Sequence, residues 1–571
     1  MKKNKLYIKL ILVLSLFIGS SCETLELDKS KDPFSLTPDQ ATVEGLFNGI
    51  QEDFVRQIEG DADYSSGDNW QSGGATNGDG LSLFGGQLTR MYALTNSGGT
   101  SYASAFLPSD SDDEWLNAYS GILLNIRRMT PLAESEGKTH HIGIAQFIEA
   151  YTMTAMVDFY GDVPYSKAIQ GADNFNPTVD SGASIYAAAI VLLDKAIENF
   201  NSEATVDPLN DLFYDNDYDK WVKAANTLKM RLYVQTRLVD SDAISKFNAI
   251  VNSGDYINSS EDDLVFNWGG TSPSNPDNRH PRYGLNYTAT GASDYLSNWF
   301  MGTMNNLEDP RIRYYYYRQQ AAVPGQEIAP NEAFLPCSLT SAPSHYIAGG
   351  FSFCNLPNGY WGRDHGDGSG SPADGFLKTT YGVYPAGGKF DSDKFTKISS
   401  TAGGKGKGIT PILLASWVDF MKAEVALIQN NPGLAKTEML NGMNKSISKV
   451  KSFGSLDPDL DSDFVPSDSD VSDYTDFISS SWDSADDTGK WNIFGVQYFI
   501  AVYGNGIESY NFYRRTGYPT SLQPMLLPSP GGFMRSLYYP SNAANNNSNI
   551  AQKPNQSVPV FWNTNSSPIA N

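Results

Sequence analysis

Cysteine and histidine are scarce in this sequence of 571 residues, which contains three cysteines and five histidines. Zinc sites need a spaced set of nitrogen and sulfur ligands, so the scarcity argues against one. The densest group of candidate ligands is Asp364, His365 and Asp367, which lie together in a glycine-rich stretch. One histidine and two carboxylates fall short of a zinc set and of the ordered oxygens of a calcium loop. We interpret this group as turn chemistry rather than as a metal or acid–base centre.

Positive charge is also in short supply. The chain has 41 lysines and arginines against 64 acidic residues, for a formal net charge of -23. Binding to nucleic acid needs clustered Lys and Arg, so we exclude nucleic acid as a partner. Aromatic residues, by contrast, make up 12% of the chain, while charged residues make up only 18%. A surface rich in rings and uncharged polar groups suits contact with carbohydrate or peptide.

The N-terminal apolar run, residues 10–18, is too short to cross a bilayer as a permanent helix. It follows four lysines and precedes small residues, so residues 1–21 are predicted to be a secretory signal peptide. Cys22 comes next and resembles the lipidated cysteine of bacterial lipoproteins, although Gly19 stands where leucine is commonest. An ordinary signal peptide with an incidental cysteine is the alternative. If Cys22 is lipidated, residues 22–40 form a tether, and several acyl chains anchor more stably than one.

The clearest local pattern lies in residues 144–168. Apolar residues recur there at helical spacing and predict a helix with one buried face, up to Tyr160. Gly161 can leave the helix in a left-handed conformation, and Pro164 forbids its continuation. Because the residue before a proline is pushed towards an extended conformation, Val163 should be extended. We interpret this segment as part of a scaffold rather than as a catalytic feature.

The same periodicity predicts a mostly α-helical fold of paired antiparallel helices. Predicted helices occupy residues 42–57, 112–136, 184–200, 218–239, 292–306, 411–430, 433–451 and 491–503. Residues 60–86 are predicted as a long surface loop, and residues 457–487 as a solvated acidic loop with short helical pieces. No tetratricopeptide repeat is established by the sequence alone. We expect one domain at 41–571, with a helical scaffold mainly at 41–258 and 411–520 and a loop-rich lobe mainly at 259–410.

Several stretches, in order, resemble the SusD/RagB family of nutrient-binding outer-membrane lipoproteins, in particular its SusD-like, starch-binding-associated branch. The stretches are Cys22, residues 158–166 (DFYGDVPYS), residues 221–231 (WVKAANTLKMR), residues 362–366 (GRDHG) with 384–388 (YPAGG), and residues 508–519 (ESYNFYRRTGYP). The resemblance extends over most of the chain. It rests on five motifs in the expected order, since no single motif is decisive.

The resemblance implies tetratricopeptide-like helix pairs in one lobe and an irregular, loop-rich lobe that carries the ligand. It also implies a chain held by lipid in the outer membrane, facing the cell exterior. There it would bind a nutrient oligosaccharide without catalysis and act as the lid of a SusC-like TonB-dependent transporter. The ligand class transfers less well, because some family members take up peptides. Arg514 and Arg515, like Arg231 and Arg237 on an earlier helix, are interpreted as scaffold ion pairs rather than as ligand contacts.

For ligand contact we select aromatic residues in polar loops, because rings stack on the apolar faces of sugars while neighbouring polar groups bond hydroxyls. For each of them, packing inside a loop or the core is the alternative. The candidates are Trp268, Tyr283, Tyr360, Trp361 and Arg363, with Trp70 as an outlier.

Cys337 and Cys354 lie in the loop-rich region of an exported chain. They are expected either to form a disulfide or to remain free buried thiols. No cofactor is predicted. A hard cation such as calcium, held by the acidic loops at residues 61–68 or 109–113, is left open.

Four functions remain to be separated. They are oligosaccharide capture with delivery to a transporter, the same role with oligopeptides, a surface glycoside hydrolase, and a purely structural coat protein. A hydrolase needs two carboxylates on opposite sides of a glycosidic bond. Because 64 acidic residues could always supply such a pair, the absence of a catalytic motif carries only modest weight, and we favour a protein without enzymatic activity.

Overall fold

Helices make up most of the regular structure in the computed structural model. The residues described are 41–60, 80–95, 101–271, 277–322, 335–369, 373–528 and 531–565. The helices before the loop-rich region are α1 (Val43–Glu59), α2 (Leu81–Leu88), α3 (Tyr102–Ala105), α4 (Asp112–Leu116), α5 (Leu124–Glu136), α6 (Thr139–Tyr160), α7 (Gly182–Phe200), α8 (Tyr218–Thr236) and α9 (Ala243–Ser253). A π-helical stretch, Asn117–Leu123, joins α4 to α5. The predicted helix at 112–136 is therefore continuous in the structure.

The later helices are α10 (Pro281–Asn286), α11 (Asn298–Asn306), α12 (Ile312–Tyr315), α13 (Ser344–Gly349), α14 (Ala415–Ile428), α15 (Pro432–Ser452), α16 (Asp468–Ser484), α17 (Asp487–Ala501), α18 (Gly506–Thr516) and α19 (Ser541–Asn546). The strands are short: β1 (Val163–Pro164), β2 (Val179–Asp180), β3 (Leu264–Asn267), β4 (Tyr316–Tyr317), β5 (Thr380–Tyr381) and β6 (Ile409–Leu413). Each strand pairs with one other, antiparallel, as β1–β2, β3–β6 and β4–β5. The predicted mostly α-helical fold is confirmed.

Helix α6 lies in the middle of the helical scaffold. It packs against α1, α5, α7 and α8, and of its residues only Thr139 and Gln146 keep partial exposure. The sequence predicted a helix with one buried face, and that prediction underestimates the burial. A helix surrounded by four others buries its polar side chains as well, and these must then find hydrogen-bond partners.

The end of α6 follows the prediction. Gly161 has φ 79° and ψ -126°, a backbone conformation that favours glycine. Its N–H donates to the carbonyl of Val157 at 2.8 Å, and the next residues form the short strand β1. The chain therefore leaves the helix at the glycine and becomes extended before Pro164, as expected from its sequence.

Strands β3 and β6 join the two ends of the loop-rich region. Leu264 pairs with Leu413, and Asn267 pairs with Ile409, so the long excursion between the two strands starts and finishes at one small sheet. The prediction that a helix begins at Pro411 is wrong, because Pro411 lies in β6 and α14 begins at Ala415. Pro411 pairs with Val265 at an irregularity of the register, a position where a strand tolerates proline.

Two predicted loops contain helices. The acidic segment at 457–487 includes α16, which starts at a capping box formed by Ser467 and Asp470. Tyr474, Ile478 and Trp482 are buried along one side of α16, because spacing by four residues places side chains on the same helical face. Likewise, α2 begins within the predicted surface loop at 60–86 and continues to Leu88, and its eight residues are all buried.

Candidate functional site

Most of the aromatic ligand candidates are inside the protein. Tyr283 is fully buried, stacks on Tyr287 with ring centroids 4.2 Å apart, and donates its hydroxyl to the carbonyl of Ala402 at 2.8 Å. Trp361 is buried beside the disulfide of Cys337 and Cys354. Rings with this burial present no face to a ligand, so the structure corrects the expectation of direct contact for Tyr283 and Trp361.

Arg363 is also buried. Its guanidinium donates to the carbonyl of Ser369 at 2.6 Å, lies 3.5 Å from the carboxylate of Asp367, and sits over the ring of Tyr295 at 4.3 Å. These contacts use the guanidinium inside the loop-rich region. The expectation of ligand contact is therefore corrected for Arg363 as well.

Trp268 and Tyr360 lie nearer the surface. Trp268 is half-buried, and its indole N–H donates to the hydroxyl of Thr410 at 2.9 Å. Tyr360 is almost fully buried, yet it lines an open groove at the protein surface. The remaining candidate, Trp70, lies outside the described residues. The structure therefore does not bring the five described candidates together, and only Tyr360 is part of the groove.

The groove runs between the loop-rich region and helix α16 and has a volume of about 1150 Å³. Its lining comes from four separate segments of the chain. The lining residues are Asn305, Asn306, Leu307, Glu308, Asp309, Pro310, Ile312, Arg313, Arg318, Ala321, Asn358, Tyr360, Asp393, Phe395, Asp463, Phe464, Val465, Pro466, Asp470, Asp473, Tyr474 and Phe477. This volume lies slightly above the roughly 300–1,000 Å³ that is typical of pockets for small ligands.

An ion-pair network fixes the two arginines of the groove. Arg318 donates from Nε to Asp391 at 2.6 Å and from Nη2 to Asp393. Arg313 donates from Nη1 to Asp393 at 3.0 Å and to the carbonyl of Asp391 at 2.9 Å. Arg318 also donates to the carbonyl of Asn358. A planar guanidinium held by several acceptors keeps one orientation.

The network sets the charge states of its members. Burial by itself would lower the pKa of Arg318, but the hydrogen bond and the charge of Asp391 outweigh it, so the pKa is raised. Partial burial would raise the pKa of Asp393, but Arg313 and Arg318 together hold the pKa below its usual value. Both side chains therefore stay charged, and they neutralise each other.

Aromatic rings from three separate segments of the chain line the groove. Phe477 keeps 54% of its surface exposed, and Phe464 carries the guanidinium of Arg313 over its ring at 4.9 Å. The guanidinium of Arg318 lies 5.0 Å from the ring of Tyr360 and 5.2 Å from that of Phe395. The exposed ring of Phe477 beside fixed charges offers both the apolar and the polar contacts that sugars need.

Of the rings that line the groove, the sequence analysis selects only Tyr360. Phe464 and Phe477 lie in the acidic segment predicted as a solvated loop, whereas the ring candidates all lie within residues 259–410 apart from Trp70. A phenylalanine within an acidic, serine-rich stretch is the signal that could have found the groove. The amides that accompany the rings, such as Asn358 bonded to Asn305 at 3.1 Å, carry no sequence signal of their own.

The 158–166 segment takes part in a buried polar cluster instead of a site. The carboxylate of Asp158 accepts hydrogen bonds from Tyr186, from the indole of Trp562 at 2.9 Å and from the amide of Asn511 at 2.7 Å. Arg231 reaches the same carboxylate at 3.5 Å and also bonds Glu508. Asp158 thus links α6 to α7, α8, α18 and the C-terminal segment.

The paired arginines of α18 complete this scaffold. Arg515 forms a bidentate ion pair with Glu424 of α14 at 2.8 Å and 2.9 Å, and Arg237 approaches the same carboxylate at 3.2 Å. Arg514 donates to the carbonyls of Asp158 and Arg535 at 2.6 Å and 2.7 Å. All these groups are buried, as expected for ion pairs that join helices.

The glycine-rich group interpreted as turn chemistry is buried within the loop-rich region. Asp364 accepts from the backbone N–H of Cys354 at 2.6 Å and from the amide of Gln523 at 2.9 Å. A ring nitrogen of His365 lies 3.1 Å from the hydroxyl of Tyr102. Burial and the nearby charge of Arg90 lower the pKa of His365. These residues connect loops and do not face the groove.

Of the two acidic loops that could hold a hard cation according to the sequence, the structure describes only one. Within 109–113, Asp110 accepts the backbone N–H of Leu107 and Asp112 accepts that of Asn542, each at 2.8 Å. The other loop, 61–68, lies outside the described residues. In the part of the chain that the structure describes, no group of three or more His, Cys, Asp or Glu side chains could hold a metal ion. Among the same residues, no helix is long and apolar enough to cross a membrane.

Two family models match this chain. Residues 81–329 match a model described as "Starch-binding associating with outer membrane", and residues 376–559 match one described as "Susd and RagB outer membrane lipoprotein". The two matches together cover more than half of the chain. A search of curated proteins finds no match.

Solved structures with the same fold cover nearly the whole chain. A SusD homolog from Bacteroides uniformis is 21% identical, with a TM-score of 0.62 over 91% of this chain and 99% of that chain. A SusD/RagB family protein from Bacteroides thetaiotaomicron is 18% identical, with a TM-score of 0.64 over 92% and 100%. A chitin-binding SusD homolog from Flavobacterium johnsoniae is 17% identical, with a TM-score of 0.61 over 91% and 99%. At these identities the likeness establishes the fold.

Proposed function

This chain belongs to the SusD/RagB family, and on that premise we propose that it binds a nutrient oligosaccharide at the cell surface, in the groove beside α16. The observation that carries the proposal is the lining of that groove. It combines the exposed ring of Phe477, the amides of Asn305 and Asn358, and a fixed network of arginine and aspartate. Rings meet the apolar faces of sugars, and the polar groups meet their hydroxyls.

The descriptions of related proteins support the ligand class. One matching family model is described as starch-binding, and two proteins of similar fold are described as chitin-binding. Starch and chitin are both polymers of uncharged sugars. This chain is therefore proposed to bind a glycan of that general kind, and the related proteins do not identify which one.

We assign no catalytic step to the groove. A glycosidase needs one carboxylic acid that is protonated at working pH, with a second carboxylate across the scissile bond. Asp393 has a pKa held below its usual value by two arginines, which is the opposite of what a general acid needs. Its fixed charge suits the binding of hydroxyl groups, and capture without bond cleavage is the simpler function.

The location and partner follow from the family premise. We propose that lipid on Cys22 anchors the chain in the outer membrane, with residues 22–40 as the tether. We further propose that the chain delivers its ligand to a SusC-like TonB-dependent transporter and acts as its lid. Residues 1–40 lie outside the described part, so these statements rest on the sequence motif and on the description of the family. Copurification of a barrel transporter with the chain would support the partnership.

Binding of a glycan panel to the purified protein tests the proposal. We expect at least one neutral oligosaccharide to bind without product formation. Replacing Phe477 with Ala should weaken that binding, because it removes an exposed ring from the groove, and should leave the unfolding midpoint unchanged. Phe175→Ala is the matched control, since Phe175 is 77% exposed and lies outside the groove lining.

Two results would contradict the proposal. One is failure of the whole glycan panel while oligopeptides bind, which would favour peptide uptake by the same lid. The other is equal binding by the wild type, Phe477→Ala and Phe175→Ala, which would place the ligand elsewhere. Release of shorter sugars, abolished by replacing one Asp or Glu, would instead indicate a glycoside hydrolase.

A further inference from the structure

The groove has a surplus of negative charge. Glu308, Asp463 and Asp473 line it and are exposed, and none of the three forms an ion pair with another described residue of the chain. They come from two segments of the chain. Glu308 follows α11, whereas Asp463 precedes α16 and Asp473 lies in it. The carboxylates therefore reach the groove from two separate segments of the chain, and aromatic rings line the same groove.

The positive charges that line the groove do not balance these three carboxylates. Arg313 and Arg318, its only lining cations among the described residues, are both bonded to Asp393. Arg318 in addition donates to Asp391 and to the carbonyl of Asn358. The guanidinium of Arg318 therefore has little capacity left to receive the carboxylate or sulfate of a ligand, and the charge of Arg313 is balanced by Asp393.

Lys394 is next in sequence to Asp393 and Lys451 bonds Pro466, but neither lysine belongs to the lining of the groove. Lys394 donates to the carbonyl of Asp459 at 2.8 Å. Lys451 donates to the carbonyl of Pro466 at 2.8 Å and lies 3.8 Å from the carboxylate of Asp468. The formal net charge of -23 for the whole chain acts in the same direction, because a cleft lined by one sign of charge favours the opposite sign in its ligand.

We propose that the groove selects oligosaccharides carrying free amino groups, accepts their neutral counterparts more weakly, and rejects glycans rich in carboxylate or sulfate. This inference rests on the proposed function and specifies the ligand of that site. The rings hold the sugar by its apolar face, and the exposed carboxylates of Glu308, Asp463 and Asp473 receive protonated amines along the rim. An anionic sugar would meet those carboxylates without a free counter-ion and would lose affinity.

Three oligosaccharides of equal length vary the charge of the ligand from positive through neutral to negative. They are an oligomer of glucosamine, its fully N-acetylated form and an oligomer of galacturonate, each measured by calorimetry at a pH that protonates the amines. Each exposed contact between an amine and a carboxylate should increase the affinity by up to about fivefold. At low salt, the glucosamine oligomer should thus bind at least about tenfold more tightly than the N-acetylated form. This difference in affinity should shrink at about 0.5 M salt, because salt screens exposed charges.

The double variant Glu308→Gln, Asp473→Asn tests the residues themselves. It should reduce the advantage of the glucosamine oligomer and keep the affinity for the N-acetylated form, which also shows that the variant is folded. Glu134→Gln is the control, because Glu134 is an exposed carboxylate on α5, outside the groove. It should leave all three affinities unchanged.

The outcomes distinguish this inference from the function on which it rests. If the N-acetylated and glucosamine oligomers bind equally, or the galacturonate oligomer binds best, the charge selection is refuted while glycan binding stands. If the double variant keeps the full advantage of the amine, the assignment to these carboxylates is refuted. If none of the three ligands and no other glycan binds, the proposed function fails, and this inference fails with it.

Discussion

Replacing Asp158 with Ala should destabilise the protein more than almost any other single carboxylate substitution in the scaffold. Its buried carboxylate accepts hydrogen bonds from Tyr186, Asn511 and Trp562, and it lies 3.5 Å from Arg231. Each stranded buried donor costs about 1–3 kcal/mol, and breaking a buried ion pair costs about 3–5 kcal/mol. Allowing for relaxation of the site, we expect Asp158→Ala to lower the free energy of unfolding by about 4 kcal/mol or more.

Asp158→Asn should lower the free energy of unfolding by less than Asp158→Ala does, because the amide keeps the shape of the side chain and one acceptor. Some loss should remain, because the amide also turns a donor towards the surrounding donors. Asp194→Asn is the matched control. Asp194 pairs with Lys229 at 2.6 Å with its side chain 54% exposed, and such exposed pairs contribute about 0–1 kcal/mol. Urea unfolding followed by tryptophan fluorescence gives the three free energies from the midpoints and slopes. If Asp158→Ala falls within about 1 kcal/mol of Asp194→Asn, Asp158 does not hold the scaffold together.

Three further outcomes are expected. Replacing Cys337 and Cys354 together with Ser should reduce the unfolding free energy by about 3 kcal/mol, because their disulfide closes a loop with a sequence separation of 17; thiol labelling with and without reduction checks that the bridge forms. Gly161→Ala should cost about 1–3 kcal/mol in the same urea assay, because the backbone there has φ 79°. Burial, opposed only in part by Arg282, raises the pKa of Glu59 to about 7 from 4.5. The native state therefore binds the proton more tightly than the unfolded state does, and the free energy of unfolding should fall by up to about 3 kcal/mol as the pH rises from about 4.5 to about 7. In Glu59→Gln, the free energy of unfolding should fall less steeply over this pH range than in the wild type.

The scaffold helices were predictable because their sequence signals are local. Apolar residues at helical spacing located α6, and Gly161 with Pro164 located its end, since both effects depend on the backbone of adjacent residues. The degree of burial was not predictable in this way. It depends on how many other helices surround α6, and the polar side chain of Asp158 is satisfied only by partners that lie far away in the sequence.

The errors have the same physical origin. Pro411 was expected in the first turn of a helix, but the pairing of β6 with β3 places it in a strand. Helix α16 was missed because its acidic composition resembles a loop, whereas a capping box and the buried side of Tyr474, Ile478 and Trp482 stabilise it as a helix. In each case a contact with a distant segment outweighs the local preference, and the chain sequence alone does not show that contact.

The ligand rings were the least predictable feature. A buried tyrosine such as Tyr283 and an exposed phenylalanine such as Phe477 differ in their tertiary surroundings, and loop composition does not reveal which of the two meets solvent. The groove depends on segments near residues 305–321, 358–360, 393–395 and 463–477 that come together only in the folded chain. A search that considers one stretch at a time cannot identify such a site.

The division between scaffold and groove explains why membership of the family identifies the fold more firmly than the ligand. None of the residues that line the groove belongs to the five stretches that carry the family resemblance. The described residues of those stretches form instead buried contacts, such as Asp158 with Asn511 and Arg515 with Glu424. Substitutions in the groove can change the charge or the rings presented to a ligand without disturbing these contacts. A chain can therefore keep the scaffold of its relatives and bind a different glycan, and Glu308, Asp463, Asp473 and Phe477 are more informative about that glycan than the family motifs are.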